Sequence, residues 1–485
     1  MSDVGITAYG AYLPKRRLNR AAIAAANAWM NPALKGLGRG TKAMCNWDED
    51  SLTMAVEAGR DCLTGLDRGQ VGAMSFASTT LPFADRHNAG LVRAALTLSE
   101  DVRSGDVGGS QRAGTSGLVQ ALEAQGSSQR SGATLYLAAD HRHTRPGSAL
   151  EMQNGDGAAA LLLGTENLIA KYLGGHSLAR DLVDHYRDAN AEFDYALEER
   201  WIRDMGYDQI VPEAVAKALS NAGISADAVD HFIMPATQRN LAAREAKKCG
   251  ISPDAVRDNL SAQMGEAGTA HAIIMLVHAL EEAEPGQTIM VVGFGQGADV
   301  LLFETTGAIK SLPARSGVTG ALARGVEDDN YPRFLSFNGL LDYEWGIRAE
   351  RDNRTAQSTF YRKRDAITSF MGGKCTQCGT VQFPKTAICV NPNCGARDTQ
   401  EDHPFAETEG QIKTFTEDNL AYSPNPPLQY GNVAFADGGN VYMDLTDFEA
   451  GTIAVGNKLK MVFRIKDFDD KRGFRRYFWK AAPAE

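Results

Sequence analysis

At 485 residues the chain exceeds one ordinary core, so two or three domains of roughly 100–200 residues each are expected. Hydrophobic residues make up 43% and charged residues 23%, with a net charge of −10, a balance that excludes extensive disorder and disfavours indiscriminate nucleic-acid binding. No window approaches the roughly 18 apolar residues of a membrane span, and Met1-Ser2-Asp3 leads into no basic segment ahead of an apolar stretch, so a soluble, cytoplasmic protein is expected, with neither membrane nor nucleic acid as partner.

In chain order, Val4 to Tyr12 reads as a strand, Leu52 to Leu66 has helical spacing, Met74 to Ser78 is a strand and Ala89 to Leu98 is helical. Gly114 to Ala124 is a helix opened by small residues, followed by the strand Thr134 to Ala138 and the apolar run Ala158 to Leu163. A second series repeats the pattern: helix Val211 to Ala222, strand Val229 to Met234, helix Gly268 to Glu282, then strands Thr288 to Gly293 and Asp299 to Glu304. Two βα halves in tandem predict layers of helix on sheet. The texture changes beyond Thr305. Residues 306–370 are polar, with one predicted helix near Asn353 to Phe370, and from about Phe405 short strands alternate with turn signals such as Asp437-Gly438-Gly439.

Four of the seven cysteines, Cys375, Cys378, Cys389 and Cys394, fall within twenty residues as two knuckles, while Cys45, Cys62 and Cys249 lie far apart. That is metal spacing, not a disulfide framework. Four thiolates leave no open position for water, so the metal is expected to be a structural zinc.

The ribbon and the strands after it, Gly410-Gln411-Ile412 to Val462-Phe463-Arg464, resemble the zinc-ribbon OB-fold proteins that accompany thiolase-like enzymes in acyl-CoA metabolism. Residues 4–305 resemble the thiolase superfamily, in particular 3-hydroxy-3-methylglutaryl-CoA synthase. The resemblance rests on Lys42 to Asp50, Gln111-Arg112-Ala113-Gly114-Thr115, Pro146 to Glu151, Gly155 to Ala160 and Phe294-Gly295-Gln296-Gly297-Ala298. It implies an α/β fold: a duplicated, layered αβαβα body, plus a zinc ribbon and an all-β OB-fold. The corresponding domains are 1–165 and 166–305 for the two halves, 306–370 for a linker with a helix, 371–400 for the ribbon and 401–485 for the OB-fold. It also implies a CoA thioester as substrate and a two-fold homodimer.

Departures from the family pattern are as informative as the matches. The family places a cysteine two residues before the Ala-Gly-Thr, at a helix N-terminus that favours a thiolate; this chain has Gln111. The general-base glutamate falls on Thr79 and the catalytic histidine near Pro235. No cysteine lies between Cys62 and Cys249, so an acyl-enzyme of the usual kind has no nucleophile, and Ser110 has no histidine close in sequence to activate it. Glu266, in Gly265-Glu266-Ala267-Gly268, stands where ketoacyl synthases turn a polar residue towards the acyl group. Buried at the end of an apolar tunnel, its carboxylate would serve as acid or base. Gln111, His271 and Tyr343 complete the candidate catalytic set. Gly295 and Gly297, with Ser110, are the candidates for holding the CoA ester. The plainer role for Tyr343 and Trp345 is to anchor the linker on the body. The tail from Arg464 to Lys480 interleaves basic and aromatic residues, a composition suited to CoA phosphates and adenine or to a domain contact.

The sequence thus points first to retro-aldol cleavage of a β-hydroxyacyl-CoA without a cysteine nucleophile. The alternatives are a condensing enzyme or acyltransferase of the 3-hydroxy-3-methylglutaryl-CoA synthase type, a decarboxylase, and a non-catalytic acyl-CoA scaffold.

Overall fold

The computed structural model describes residues 3–127 and 132–484. The chain forms two units, one of residues 1–46, 50–93 and 98–340, the other of residues 341–485 together with 47–49 and 94–97. The stretch 306–370, read as a linker, divides between them. Val326–Asp328 pairs in parallel with Arg16–Asn19, and Arg16 reaches Asp328 at 3.0 Å, so residues up to 340 pack as part of the first unit.

The first unit is built on one nine-stranded mixed sheet. Its strands in chain order are β1 (Gly5–Tyr12), β2 (Val71–Ala77), β3 (Arg103–Val107), β4 (Ala133–Asp140), β5 (Gly157–Gly164), β6 (Ala170–Ala179), β7 (His231–Ile233), β8 (Thr288–Phe294) and β9 (Gly297–Thr305). The spatial order is β7-β8-β9-β6-β1-β5-β4-β2-β3. Outward from the centre, β1, β5, β4 and β2 mirror β6, β9, β8 and β7, which is the duplication. The halves meet through a short antiparallel contact of β1 and β6, Gly5 opposite Lys171 and Ile6 opposite Ala170.

Four helices complete the layers: α1 (Ser51–Cys62), α2 (Ala113–Gln125), α3 (Asp208–Ala222) and α4 (His271–Glu282). α1 packs on β1, β4 and β5, and α3 on β6, β8 and β9. α2 and α4 touch each other and both half-sheets, giving the αβαβα sandwich. Their apolar faces explain the position: Leu118 and Leu122 of α2 and Ile273, Leu276 and Leu280 of α4 share one buried cluster with Leu161, Val291 and Phe303 of the strands. α1 begins at a capping box, with Asp50 accepting from the Thr53 N–H at 2.9 Å and donating its own N–H to Thr53 Oγ1 at 2.8 Å. It stops short of the predicted Leu66, because Gly65 turns the chain at φ +72°.

In the second unit a three-stranded ribbon sheet (Val381–Gln382, Met371–Cys375, Gln400–Pro404) precedes an OB-like antiparallel sheet. The strands of the latter are β10 (Gly410–Asp418), β11 (Leu428–Phe435), β12 (Asn440–Asp444), β13 (Lys458–Asp469) and β14 (Phe474–Pro483), in the order β12-β11-β10-β13-β14. The single helix predicted near 353–370 is two, Gln357–Arg362 and Arg364–Thr368, broken at Lys363 with φ −114°. Beyond the break the chain delivers Phe370, fully buried, against the rings of Phe383, Phe405, Phe435 and Phe478. Among the described residues no helix is long and apolar enough to cross a membrane.

Candidate active site

The turn before α2 is held from the opposite half of the body. Arg112 donates from Nε to the Gly295 carbonyl at 3.1 Å and pairs through Nη1 with the fully buried Asp299 at 2.9 Å; the hydroxyls of Thr115 and Ser116 donate to the same carboxylate. Gly295 and Gly297 flank the tip of the β8–β9 hairpin. A Cβ on Gly297 would lie 2.0 Å from the Leu178 carbonyl of β6, so that position closes the sheet and admits only glycine. Ser110, Gln111 and Gly295 line a cavity of about 480 Å³, which Thr79 and Arg187 also border.

Gln111 also borders a second cavity, of about 330 Å³, together with Glu266, Arg142, Asn154, Thr269 and Pro235. Here the two halves of the body exchange hydrogen bonds. Gln111 Nε2 donates to Glu266 Oε1 at 2.9 Å, Arg142 Nη1 pairs with Glu266 Oε2 at 2.8 Å and also reaches Gln111 Oε1 at 3.3 Å. Arg142 extends to Asp194 at 2.9 Å, and Asp194 in turn takes Arg187 at 3.1 Å. Burial works against the Arg142 cation, yet Glu266, Asp194 and Asp140 outweigh it and hold the group above its ordinary pKa. Glu266 therefore meets a guanidinium, not the apolar tunnel end expected from the sequence.

Asp140, at the end of β4 and fully buried, ties the floor of the site together. It accepts from the Thr79 N–H at 2.8 Å, from the hydroxyls of Ser78, Thr79 and Thr80, and from the Thr269 N–H at 2.7 Å. That last bond needs Gly268 at φ +55°, where a Cβ would stand 2.4 Å from the Asp140 carboxylate. Thr79, at the position of the family's glutamate, is thus a partner of Asp140.

His271 and Tyr343 are not brought to this place. His271 Nδ1 accepts the Ala267 N–H at 3.0 Å and its Nε2 lies 2.8 Å from the Asn259 carbonyl, so both ring nitrogens are spent on pinning the start of α4; burial lowers its pKa further, and it does not line the cavity. Tyr343 belongs to the second unit, is 43% exposed and packs edge-on against Trp345, which packs on Tyr422. The pair anchors its segment within the second unit.

Sequence reasoning missed Arg142, Asp194, Asn154 and the neighbours Asp184 and His185. Asn154, Thr269 and Asp184 line the 330 Å³ cavity, and their Nδ2, Oγ1 and Oδ1 atoms are buried with no protein hydrogen-bond partner. Buried polar atoms in that state call for a partner from outside the chain, such as ordered water or a ligand. Tyr207, stacked on Phe294 with centroids 4.0 Å apart, also lines the cavity; burial, then the charges of Asp184 and Glu266, raise its pKa and keep its proton on.

No cysteine lines either cavity. Cys45 and Cys62 are buried, and burial pushes the Cys249 thiol up to about 11. In the second unit the four clustered cysteines bring their Sγ atoms within 4.8 Å of one another, with Cys378 to Cys389 at 3.5 Å and Cys375 to Cys394 at 4.0 Å. Tetrahedral zinc with Zn–S of about 2.3 Å sets sulfur atoms about 3.8 Å apart, far from the roughly 2.05 Å of a disulfide. The donor set fits zinc, which Cys375, Cys378, Cys389 and Cys394 would hold as a closed structural site. The basic tail forms β13 and β14, and its charges are largely answered inside the second unit. Lys480 pairs with Asp48 at 2.8 Å, Arg464 with Glu49 at 3.1 Å, Lys466 with Asp444 at 2.6 Å and Arg472 with Asp469 at 2.8 Å.

Two family models match the chain: the C-terminal domain of 3-oxoacyl-[acyl-carrier-protein] synthase III over residues 219–301, and the rubredoxin-like zinc ribbon domain of ChsH2 over residues 368–400. The first unit has the thiolase-like fold. The hydroxymethylglutaryl-CoA synthase of Archaeoglobus fulgidus is 29% identical over 332 residues, 66% of this chain and 94% of that protein. The one from Aeropyrum pernix is 28% identical over 347 residues, 70% of this chain and 95% of that protein. Among solved structures, MvaS in complex with 3-hydroxy-3-methylglutaryl coenzyme A superposes with a TM-score of 0.57 at 20% identity, covering 69% of this chain and 92% of that one. This chain is therefore a thiolase-like body fused to a zinc ribbon and an OB-like sheet.

Proposed function

We propose that this protein acts on an acyl-CoA thioester and makes or breaks the carbon–carbon bond next to its carbonyl through an enolate, with no acyl-cysteine. The relatives are synthases, which favours the condensing direction over the retro-aldol cleavage that the sequence alone put first. Both are one equilibrium, in which a thioester enolate adds to a carbonyl carbon to give a β-hydroxyacyl-CoA. The observation that carries the reading is Gln111 at the head of α2, hydrogen-bonded to Glu266 in a cavity that no cysteine lines. Enolate chemistry needs donors aimed at a developing oxyanion and a base, not a nucleophile. Asn154 Nδ2 and Thr269 Oγ1 are such donors. Gln111, Arg142 and Glu266 form a rigid polar wall that positions the thioester against them.

Acyl transfer of the hydroxymethylglutaryl-CoA synthase type is the second reading, favoured by the likeness to those synthases. The dimer of the resemblance suits the body as well: among the described residues β3 is an edge strand with β2 on one side only, open to a second copy.

Incubation with acetyl-CoA in D₂O, followed by NMR of the α-carbon and intact-protein mass spectrometry, separates these readings. The enolate reading expects α-deuteration with no acyl adduct on the protein. An acyl adduct restores the acyltransferase. Binding of the ester with neither event leaves a scaffold.

A further inference from the structure

An enolate site needs a base, and the groups the family would supply are replaced or engaged. Thr79 and Pro235 stand where the glutamate and histidine fall. Both carboxylate oxygens of Glu266 are taken, by Gln111 and by Arg142, and both ring nitrogens of His271 are committed to backbone. One imidazole nevertheless faces the site. Among the described residues His185 is the histidine that lines the 330 Å³ cavity, and it lines the 480 Å³ cavity too. It sits in a two-strand ladder, His185–Tyr186 against Tyr195–Ala196, whose return strand also contributes Ala196 to the cavity wall.

Its neighbour gives the ring a direction. His185 Nδ1 lies 3.0 Å from Asp184 Oδ2, and Asp184 is 8% exposed. A carboxylate on Nδ1 fixes the proton there and leaves Nε2 as the basic nitrogen, as in any carboxylate–imidazole pair used for proton transfer. The other oxygen, Asp184 Oδ1, is buried and has no protein partner, and Asp184 itself lines the same cavity. The main chain holds the pair in place, since the Leu197 N–H donates to the Asp184 carbonyl at 2.9 Å.

We propose that His185, oriented by Asp184, is the base of this site. The inference rests on the enolate reading above. Nε2 removes a proton from the carbon next to the thioester carbonyl; the C–H pair becomes the enolate double bond and the carbonyl pair moves onto oxygen, held by Asn154 and Thr269. The resulting imidazolium is stabilised by Asp184. When the enolate carbon adds to an acceptor carbonyl, the acceptor's π pair becomes an alkoxide that takes the proton back from Nε2; with no acceptor present, Nε2 returns a proton or solvent deuteron to the α-carbon.

The test is acetyl-CoA α-deuteration by the full-length, zinc-loaded protein and its His185→Ala and Asp184→Asn variants, alongside their affinity for the ester. His185→Ala should lose roughly 100-fold or more of the exchange rate while holding the ester within about two-fold, since a positioned base contributes about 10²–10⁴. Imidazole added to the buffer should restore part of that loss. Asp184→Asn should lose less and gain nothing from imidazole, as expected of a positioning residue. The proposal is overturned if His185→Ala exchanges at the wild-type rate, or if its exchange and its ester affinity fall together. Wild-type protein that binds the ester and exchanges no proton sinks the enolate reading as well, whereas exchange that survives His185→Ala sinks only this one.

Discussion

The ribbon and the cavity solve the same electrostatic problem in opposite ways. In the ribbon, Cys375, Cys378, Cys389 and Cys394 converge within 4.8 Å, and as thiolates they need a cation from outside. At the wall of the 330 Å³ cavity, Glu266 meets Arg142 at 2.8 Å, and Asp194, which lines the neighbouring cavity, reaches the same guanidinium at 2.9 Å, a cation built into the chain. The first arrangement couples folding to a metal. The second couples it to one side chain from the other half of the body, and leaves the cavity walls polar and fixed before any ligand arrives. Removing each cation in turn tests the contrast.

The largest effect belongs to the ribbon. Structural zinc in small ribbons is bound with about 10–16 kcal/mol, more than the net stability of most domains. Cys378→Ser and Cys394→Ser should therefore drop the metal content from one equivalent per chain towards none. Hydrogen exchange should show residues 371–404 unprotected while the first unit keeps its protection. Full metal content, or an unchanged ribbon in the metal-free variants, would remove the coupling.

Arg142→Met comes next. It leaves the Glu266 carboxylate buried beside Gln111 alone, and breaking one partner out of a buried pair costs roughly 3–5 kcal/mol. The urea midpoint of the first unit should fall accordingly. Glu266→Gln in the same chain should recover part of the loss, because Asp194 retains Arg187. A single variant within about 1 kcal/mol of wild type would mean that solvent, not Arg142, answers those carboxylates.

The same contrast explains what could be read from the sequence. The ribbon's ligands lie within twenty residues, so spacing alone declared them. The layered body is legible because its apolar strands and helices alternate twice along the chain, and because Gly295 and Gly297 sit where a hairpin must turn. Arg142 was not legible. It follows β4 in a segment without periodicity, and its partner Glu266 is 124 residues away. His185 lies in a ladder two residues long, with Asp184 just ahead of it, too short to leave an alternating pattern. β6 was missed as well, since its Gly174-Gly175 and part-exposed residues dilute the apolar signal. His271 drew attention as a histidine near Glu266, yet its role is to close backbone bonds that only the folded chain reveals. Tyr343 has no spacing signal to place it, and its segment packs on Tyr422.

A smaller effect concerns the cysteines outside the ribbon. Burial pushes Cys249 up to about 11, so its thiolate fraction at neutral pH is very low, and Cys45 and Cys62 are buried. Iodoacetamide at concentrations that spare the zinc should leave α-deuteration of acetyl-CoA unchanged at pH 7. Rapid inactivation, with the label mapped to Cys45, Cys62 or Cys249, would return a thiol to the site and undo the contrast on the cavity side.

The smallest expected effect tests how well the body answers a cation of its own. Lys42 is buried, with Nζ donating to the Glu151 carbonyl at 2.7 Å and standing 4.6 Å above the Phe334 ring. Burial lowers its pKa to about 8, with Asp156 and Glu151 pulling the other way. In the unfolded chain the amine titrates near 10.4. Between about pH 8 and 10.4 the unfolded state therefore binds more protons than the folded one, and stability from this group rises with pH across that window. Below pH 8 both states are protonated and the folded state carries the full desolvation penalty, roughly 3 kcal/mol as an upper bound. Lys42→Met removes that penalty and forfeits one hydrogen bond worth about 1 kcal/mol, so it should stabilise the first unit at pH 7 by about 1–2 kcal/mol. The gain should shrink as pH rises from 8, and above 10.4 the variant should be the weaker of the two. Urea midpoints measured at pH 7, 9 and 10.5 check the sign. A Lys42→Met chain less stable at all three would show that Asp156 and Glu151 answer Lys42 as fully as Arg142 answers Glu266.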